Sequence, residues 1–171
     1  MSELAVTAIG ADRPGIVAAV ARVLHERGGN VLDSAMTILA GQFAIMLLVE
    51  SDDEPAVLRD ALTAGAGELG LTVTVTAAGT SSSPSDPTHV LSVYGSDKPG
   101  IMAGVSEVLA DVGANITDLE TRVLSAGDSP VYAMVIELAT DDTERVAAAL
   151  DDACGRLGVD HTLRALETET Y

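Results

Sequence analysis

The 171-residue chain has no tryptophan, one phenylalanine, three tyrosines and a single cysteine. One cysteine, Cys154, excludes an internal disulfide, a CxxC redox pair and a cysteine ligand set for an iron-sulfur cluster. Its expected place is as a small residue in the core. So few aromatics argue against an RNA-recognition sheet, which stacks bases on its central strands. Positive charge is equally scarce, with nine Lys and Arg against 26 Asp and Glu for a net charge of -17 at pH 7. Such a field repels phosphate backbones, so no direct nucleic-acid binding is expected. His25, His89 and His161 lie far apart without ligand spacing and are expected as ordinary surface or half-buried side chains, with no metal site or histidine-based triad. No apolar run reaches the ~20 residues of a membrane span, and the start "MSELAVTAIG" has no basic n-region. The expected setting is the cytoplasm, with no membrane contact and no cofactor.

What is present is an apolar, foldable chain, 47% hydrophobic, built from a repeat. The stretch "GADRPGIVAAVARVLHERGGNVLDSAMTI" at 10 to 38 lies without a gap over "GSDKPGIMAGVSEVLADVGANITDLETRV" at 95 to 123, with 12 of 29 positions identical. Late in each half "LGLTVTV" at 69 to 75 matches "LGVDHTL" at 157 to 163. The offset grows from 85 to 88, which places about three extra residues in the hairpin "SAGDSP" of the second copy. Between the copies lies "GTSSSPSDP", a Gly/Ser/Pro linker. The expected organisation is a first domain at 1–78, a linker at 79–87 and a second domain at 88–171. Acidic groups such as "SDDEP" and "TDDTE" read as solvated helix starts, where carboxylates suit the positive end of the helix dipole.

Each copy reads as strand, helix, strand, strand, helix, strand. "ELAVTAI" alternates; Ile16, Val17, Val20, Val23 and Leu24 fall at helical spacing, and Gly28 supplies a stop. "NVLDSAMTIL" and "QFAIMLLVE" are strands about a Gly41 turn. Val57, Leu58, Ala61 and Leu62 mark a second helix before the strand "LTVTVTA". The βαββαβ order predicts an α+β protein of two tandem ferredoxin-like domains, each a four-stranded antiparallel sheet with two helices on one face. "FAIMLLV" and "VYAMVI" are near-continuous rather than alternating, so both sheet faces are expected to be covered, one of them by the other repeat or by a second subunit.

The duplicated loop before the first helix has two readings. Pro14 and Pro99 suit the first helical position, and Asp12 and Asp97 can cap free backbone donors. Alternatively, Gly15 and Gly100 allow a carboxylate to approach the helix N-terminus. Asn30 and Asn115 either cap a helix end or offer a donor and an acceptor to a ligand.

The Asp-x-Pro-Gly-Ile start, the amphipathic helix and the Gly-x-Asn in βαββαβ order resemble the ACT domain, a small regulatory module that commonly binds amino acids. The resemblance covers nearly the whole chain, and the first copy is similar to the tandem-ACT repressors of glycine cleavage. It implies a regulator without enzymatic activity that senses an amino acid or related small molecule and acts by contacting a regulatory protein or enzyme partner. It also implies a ligand at an interface between two modules, beside the loop from first strand to first helix. Carried onto this chain, the positions are Asp12, Arg13, Gly15, Ile16 and Asn30, with Asp97, Lys98, Gly100, Ile101 and Asn115 in the second copy. A homodimer is expected. The alternatives are a detached regulatory subunit of an amino-acid biosynthetic enzyme and an interaction module without a ligand.

Overall fold

The computed structural model describes residues 2–79, 85–126 and 129–166. The chain divides into two compact units, Met1–Ser82 and Ser83–Tyr171. The first unit runs β1 (Ser2–Ala11), α1 (Ile16–Glu26), β2 (Asn30–Leu39), β3 (Gln42–Ser51), α2 (Pro55–Gly65) and β4 (Thr72–Ala77), with a 3-10 turn at Gly67–Leu69. The second runs β5 (His89–Ser96), α3 (Ile101–Asp111), β6 (Asn115–Ala126), β7 (Ser129–Ala139), α4 (Thr143–Leu157) and β8 (Asp160–Ala165). Both sheets are antiparallel, in the orders β2-β3-β1-β4 and β6-β7-β5-β8. This is the tandem ferredoxin-like α+β fold that the periodicity predicts.

Each unit has its own core because alternate strand residues and one stripe of each helix meet. In the first, Leu4, Val6 and Ala8 of β1 and Phe43, Ile45, Leu47 and Val49 of β3 pack under Ile16, Val20, Val23, Leu24, Leu58 and Leu62. Val17 and Val57 fall outside that stripe and stay 48% and 46% exposed. The second core repeats the arrangement, with Leu91, Val93, Met134, Ile136 and Leu138 beneath α3 and α4, and Cys154 buried among them. Burial pushes the Cys154 thiol pKa up, as does the nearby Asp151 charge, so it stays protonated.

The helices cover one sheet face only. On the opposite face of the first unit Ile9 and Met46 remain 48% and 58% exposed, and on that of the second Tyr94 and Val135 remain 44% and 40% exposed. The apolar runs in β3 and β7 therefore leave side chains that no helix of their own unit covers.

Three local expectations need correction. First, neither proline sits in a helix: α1 and α3 begin at Ile16 and Ile101, after Gly15 and Gly100, both at φ 95°. With Pro before it, a glycine at φ 95° and ψ near zero fits the third position of a type II turn, where a positive φ is required. Second, Asp12 and Asp97 do not cap, since neither helix has a side-chain cap. Third, His89 is buried rather than half-buried, with its ring nitrogens hydrogen-bonded to the hydroxyls of Thr88 (2.8 Å) and Thr143 (3.0 Å).

The longer second hairpin gains its length in the arms. β6 and β7 have 12 and 11 residues against 10 and 10 in β2 and β3. Residues 127 and 128 of "SAGDSP", and residues 80–84 of the linker, lie outside the described residues.

Candidate functional site

The register of the first sheet fixes where the duplicated residues stand. Ala11 and Leu39 both pair with Gln42, so the β1–α1 loop and the β2–β3 turn share one end of the sheet. Asn30 pairs with Glu50 and Ser2 with Ser51, which places Asn30 at the other end. The eleven residues of α1 separate the two ends by about 16 Å at 1.5 Å per residue. One unit therefore brings Asp12, Arg13 and Gly15 together but leaves Asn30 apart from them. The second unit repeats this, with Asp97, Lys98 and Gly100 at one end and Asn115, paired with Ala139, at the other.

The loop is anchored by its backbone. The Asp12 N–H donates to the Gly41 carbonyl at 2.9 Å, tying the loop to the β2–β3 turn. The Asp97 N–H meets the Pro130 carbonyl at 3.5 Å. Gly15 and Gly100 stand in open space, with nothing within 4 Å of a built Cβ, so a small ligand can approach there. The carbonyl of each accepts the first helical bond, from Ala19 and Gly104. Asp12, Arg13, Asp97 and Lys98 are exposed, whereas Ile16 and Ile101 are 2% exposed and belong to the cores. Those isoleucines fix the helix start and turn only backbone toward the loop.

Asn30 and Asn115 are exposed first residues of β2 and β6, not helix caps. The helix stops are Gly28 and Gly113, at φ 72° and 79°. Beside Asn30, Arg27 grips Asp53 with two hydrogen bonds of 2.7 and 2.8 Å. Those bonds and the Asp53 charge raise the guanidinium pKa and occupy the cation at that end.

Two residues near the loop were not singled out by sequence reasoning. Gly15 borders a groove of about 610 Å³ between α1 and the end of α2, with Arg22 and Glu68 on its walls. The sequence signal lies in the repeat, where the corresponding positions carry Glu107 and Arg156 with their signs exchanged.

Among the described residues no cluster of His, Cys, Asp or Glu is suited to holding a metal ion, and no helix is long and apolar enough to cross a membrane.

A family model described as ACT domain matches residues 2–76 and again 88–163. A UPF0237 protein of Methanopyrus kandleri is 44% identical over 78 residues, 44% of this chain and 87% of that protein. The glycine cleavage system transcriptional repressor of Escherichia coli K12 is 26% identical over 170 residues, 95% of this chain and 90% of the repressor. The crystal structure of an unknown protein from Galdieria sulphuraria superposes with a TM-score of 0.83 at 30% identity, covering 97% of this chain and 99% of that one.

Proposed function

This chain belongs to the ACT domain family, and from that membership we propose that it is a non-enzymatic cytoplasmic regulator that senses an amino acid and passes the signal on by protein contact. Its relation to the glycine cleavage repressor supports a role in controlling transcription or amino-acid metabolism. The strongly acidic charge makes any effect on DNA indirect.

The observation that carries the reading is the separation of Gly15 from Asn30 by the length of α1, together with the bare edge of the first sheet. β2 is an edge strand, all ten of its residues are exposed, and Asp33 is its one charge. Val31, Leu32, Met36, Ile38 and Leu39 are 42 to 74% exposed along it. Such an edge invites strand pairing. The other hairpin edge, β6, carries Asp118, Glu120 and Arg122, charges of the kind that discourage it.

Two copies of the chain pairing antiparallel through β2, about a two-fold axis, form a homodimer with isologous contacts. Antiparallel pairing sets the first residue of one β2 beside the last of the other. The partner subunit's Asn30 then stands next to Leu39 and the Gly41 turn, to which Asp12 is bonded. The carboxylate of an amino acid meets Arg13 and the backbone at Gly15, and its polar groups meet the partner subunit's Asn30. Asp97, Lys98, Gly100, Ile101 and Asn115 repeat these elements in the second unit and form the second candidate site.

A thermal-shift screen of the proteinogenic amino acids tests the reading. Stabilisation by one of them, lost in Asn30→Ala, is the expected result. No shift with any amino acid favours an interaction module without a ligand.

A further inference from the structure

The helix-free face of the second sheet carries a groove across β5 and β8. It measures about 380 Å³ and is lined by Val90, Ser92 and Tyr94 of β5, Thr162 and Arg164 of β8, and Leu166. The register orders its contents: Tyr94 pairs with Asp160, Ser92 with Thr162 and Val90 with Arg164. All six share one face because side chains alternate along a strand. The groove thus has a tyrosine ring at one end, two hydroxyl residues in the middle and a guanidinium at the other end, and Asp160, outside the lining, stands opposite Tyr94 in the register. From row 94 to row 90 is about 13 Å of strand.

Arg164 is one of nine basic residues in a chain with 26 acidic ones. Even so, it has no ion-pair or hydrogen-bond partner among the described residues, and neither does the Tyr94 hydroxyl. The first unit is an internal control. The repeat places Ile9 where the second copy has Tyr94, Thr76 where it has Arg164, and Thr7 and Thr74 where it has Ser92 and Thr162. The same strands fold without the ring and the cation, so the fold does not demand either.

We propose that this groove binds a small molecule bearing an amino-substituted planar ring and an anionic group some 10 Å apart, the chemistry of a purine nucleoside monophosphate. The ring stacks on Tyr94, its amino group donates to Asp160, the sugar hydroxyls meet Ser92 and Thr162, and the phosphate takes the Arg164 fork. The groove lies on the face of the second sheet that α3 and α4 leave uncovered, and none of its lining residues is one of those proposed to sense the amino acid.

The test is a titration of the full chain with AMP, with adenosine and inorganic phosphate as the half-ligands. It is followed by calorimetry and by tyrosine emission, since stacking on Tyr94 alters that emission. Tyr94→Ile and Arg164→Thr install the residues that the first copy carries at exposed positions, and circular dichroism checks their folding. The expected result is AMP binding at least about tenfold tighter than either half-ligand, weakened about tenfold or more by each variant. The proposal is overturned by no AMP binding at millimolar concentration, by phosphate binding as tightly as AMP, or by AMP affinity unchanged in both variants.

Discussion

Gly10 and Gly95 occupy the same position in the repeat, at the end of β1 and of β5, yet replacing each by alanine should have different consequences. At Gly95 a new Cβ would lie 2.6 Å from Val159 Cγ1, 3.2 Å from its Cβ and 3.4 Å from its Cα. Val159 is 9% exposed and β-branched, so it has neither room nor a free rotamer to step aside. Overpacking of that kind costs about 1–3 kcal/mol. Removing a strand glycine returns roughly 0.5–1 kcal/mol, which leaves a net loss on the order of 1–2 kcal/mol. At Gly10 the closest contact, 2.8 Å, is with Leu71 Cδ2, the far end of a half-buried side chain that can swing out, while the Gly70 carbonyl oxygen at 3.3 Å has to give only slightly, so Gly10→Ala should cost clearly less than Gly95→Ala. The assay exploits composition: there is no tryptophan, and Tyr94, Tyr132 and Tyr171 all lie in the second unit. Tyrosine fluorescence therefore follows the second unit alone, while far-ultraviolet circular dichroism follows both. With a urea dependence of about 1 kcal/mol/M for so small a unit, Gly95→Ala should lower the tyrosine-detected midpoint by about 1–2 M. Gly10→Ala should leave that midpoint in place. Equal costs for the two variants, or a neutral Gly95→Ala, would refute the packing argument.

The other predictions concern assembly, charge and pH. Ile38→Lys places a charge on the exposed β2 edge and should shift light scattering from dimer to monomer; a variant that stays dimeric moves the interface elsewhere. In a gel-shift assay at physiological salt the purified chain alone should leave a promoter fragment unshifted, and a sequence-specific complex without a partner protein contradicts that. The folded Cys154 thiol has its pKa raised, so the native state holds that proton more tightly than the unfolded chain. Its stabilisation is complete below the ordinary thiol pKa, ~8.5, and declines as pH rises from there through the raised folded value. The tyrosine-detected transition should therefore weaken above that pH, and Cys154→Ala, although itself less stable at neutral pH, should lose less over the same rise. An identical alkaline slope in both proteins would count against this origin.

The fold was legible because two signals coincide: strand and helix periodicities, and a repeat that supplies each unit twice. The loop was harder to read. Pro-Gly before an apolar helix fits a helix start as well as a type II turn, and what separates them is the sign of φ at Gly15, which no residue type states. The relation of Gly15 to Asn30 was hidden for another reason. Fifteen residues apart, they read as neighbours around one ligand, but α1 carries the chain back along the sheet and parts them. The Tyr94 and Arg164 groove joins strands about seventy residues apart in the chain, so only the register shows them on one face. The two copies had nonetheless marked both residues by differing there.

The claim of a ligand site shared between modules is tested most directly by mixing two defective chains. Arg13→Glu reverses the exposed loop cation, and Asn30→Ala removes the amide; each is an exposed position, so both chains should fold and pair. Each should bind the screened amino acid at least about tenfold more weakly, consistent with ~1–3 kcal/mol for an unpaired ligand group. Unfolded together and refolded, the two should form mixed dimers in which one site carries both defects and the other carries none. Calorimetry should then recover wild-type affinity in a minor fraction of sites. A folded, dimeric mixture that binds no better than either parent would contradict the shared site.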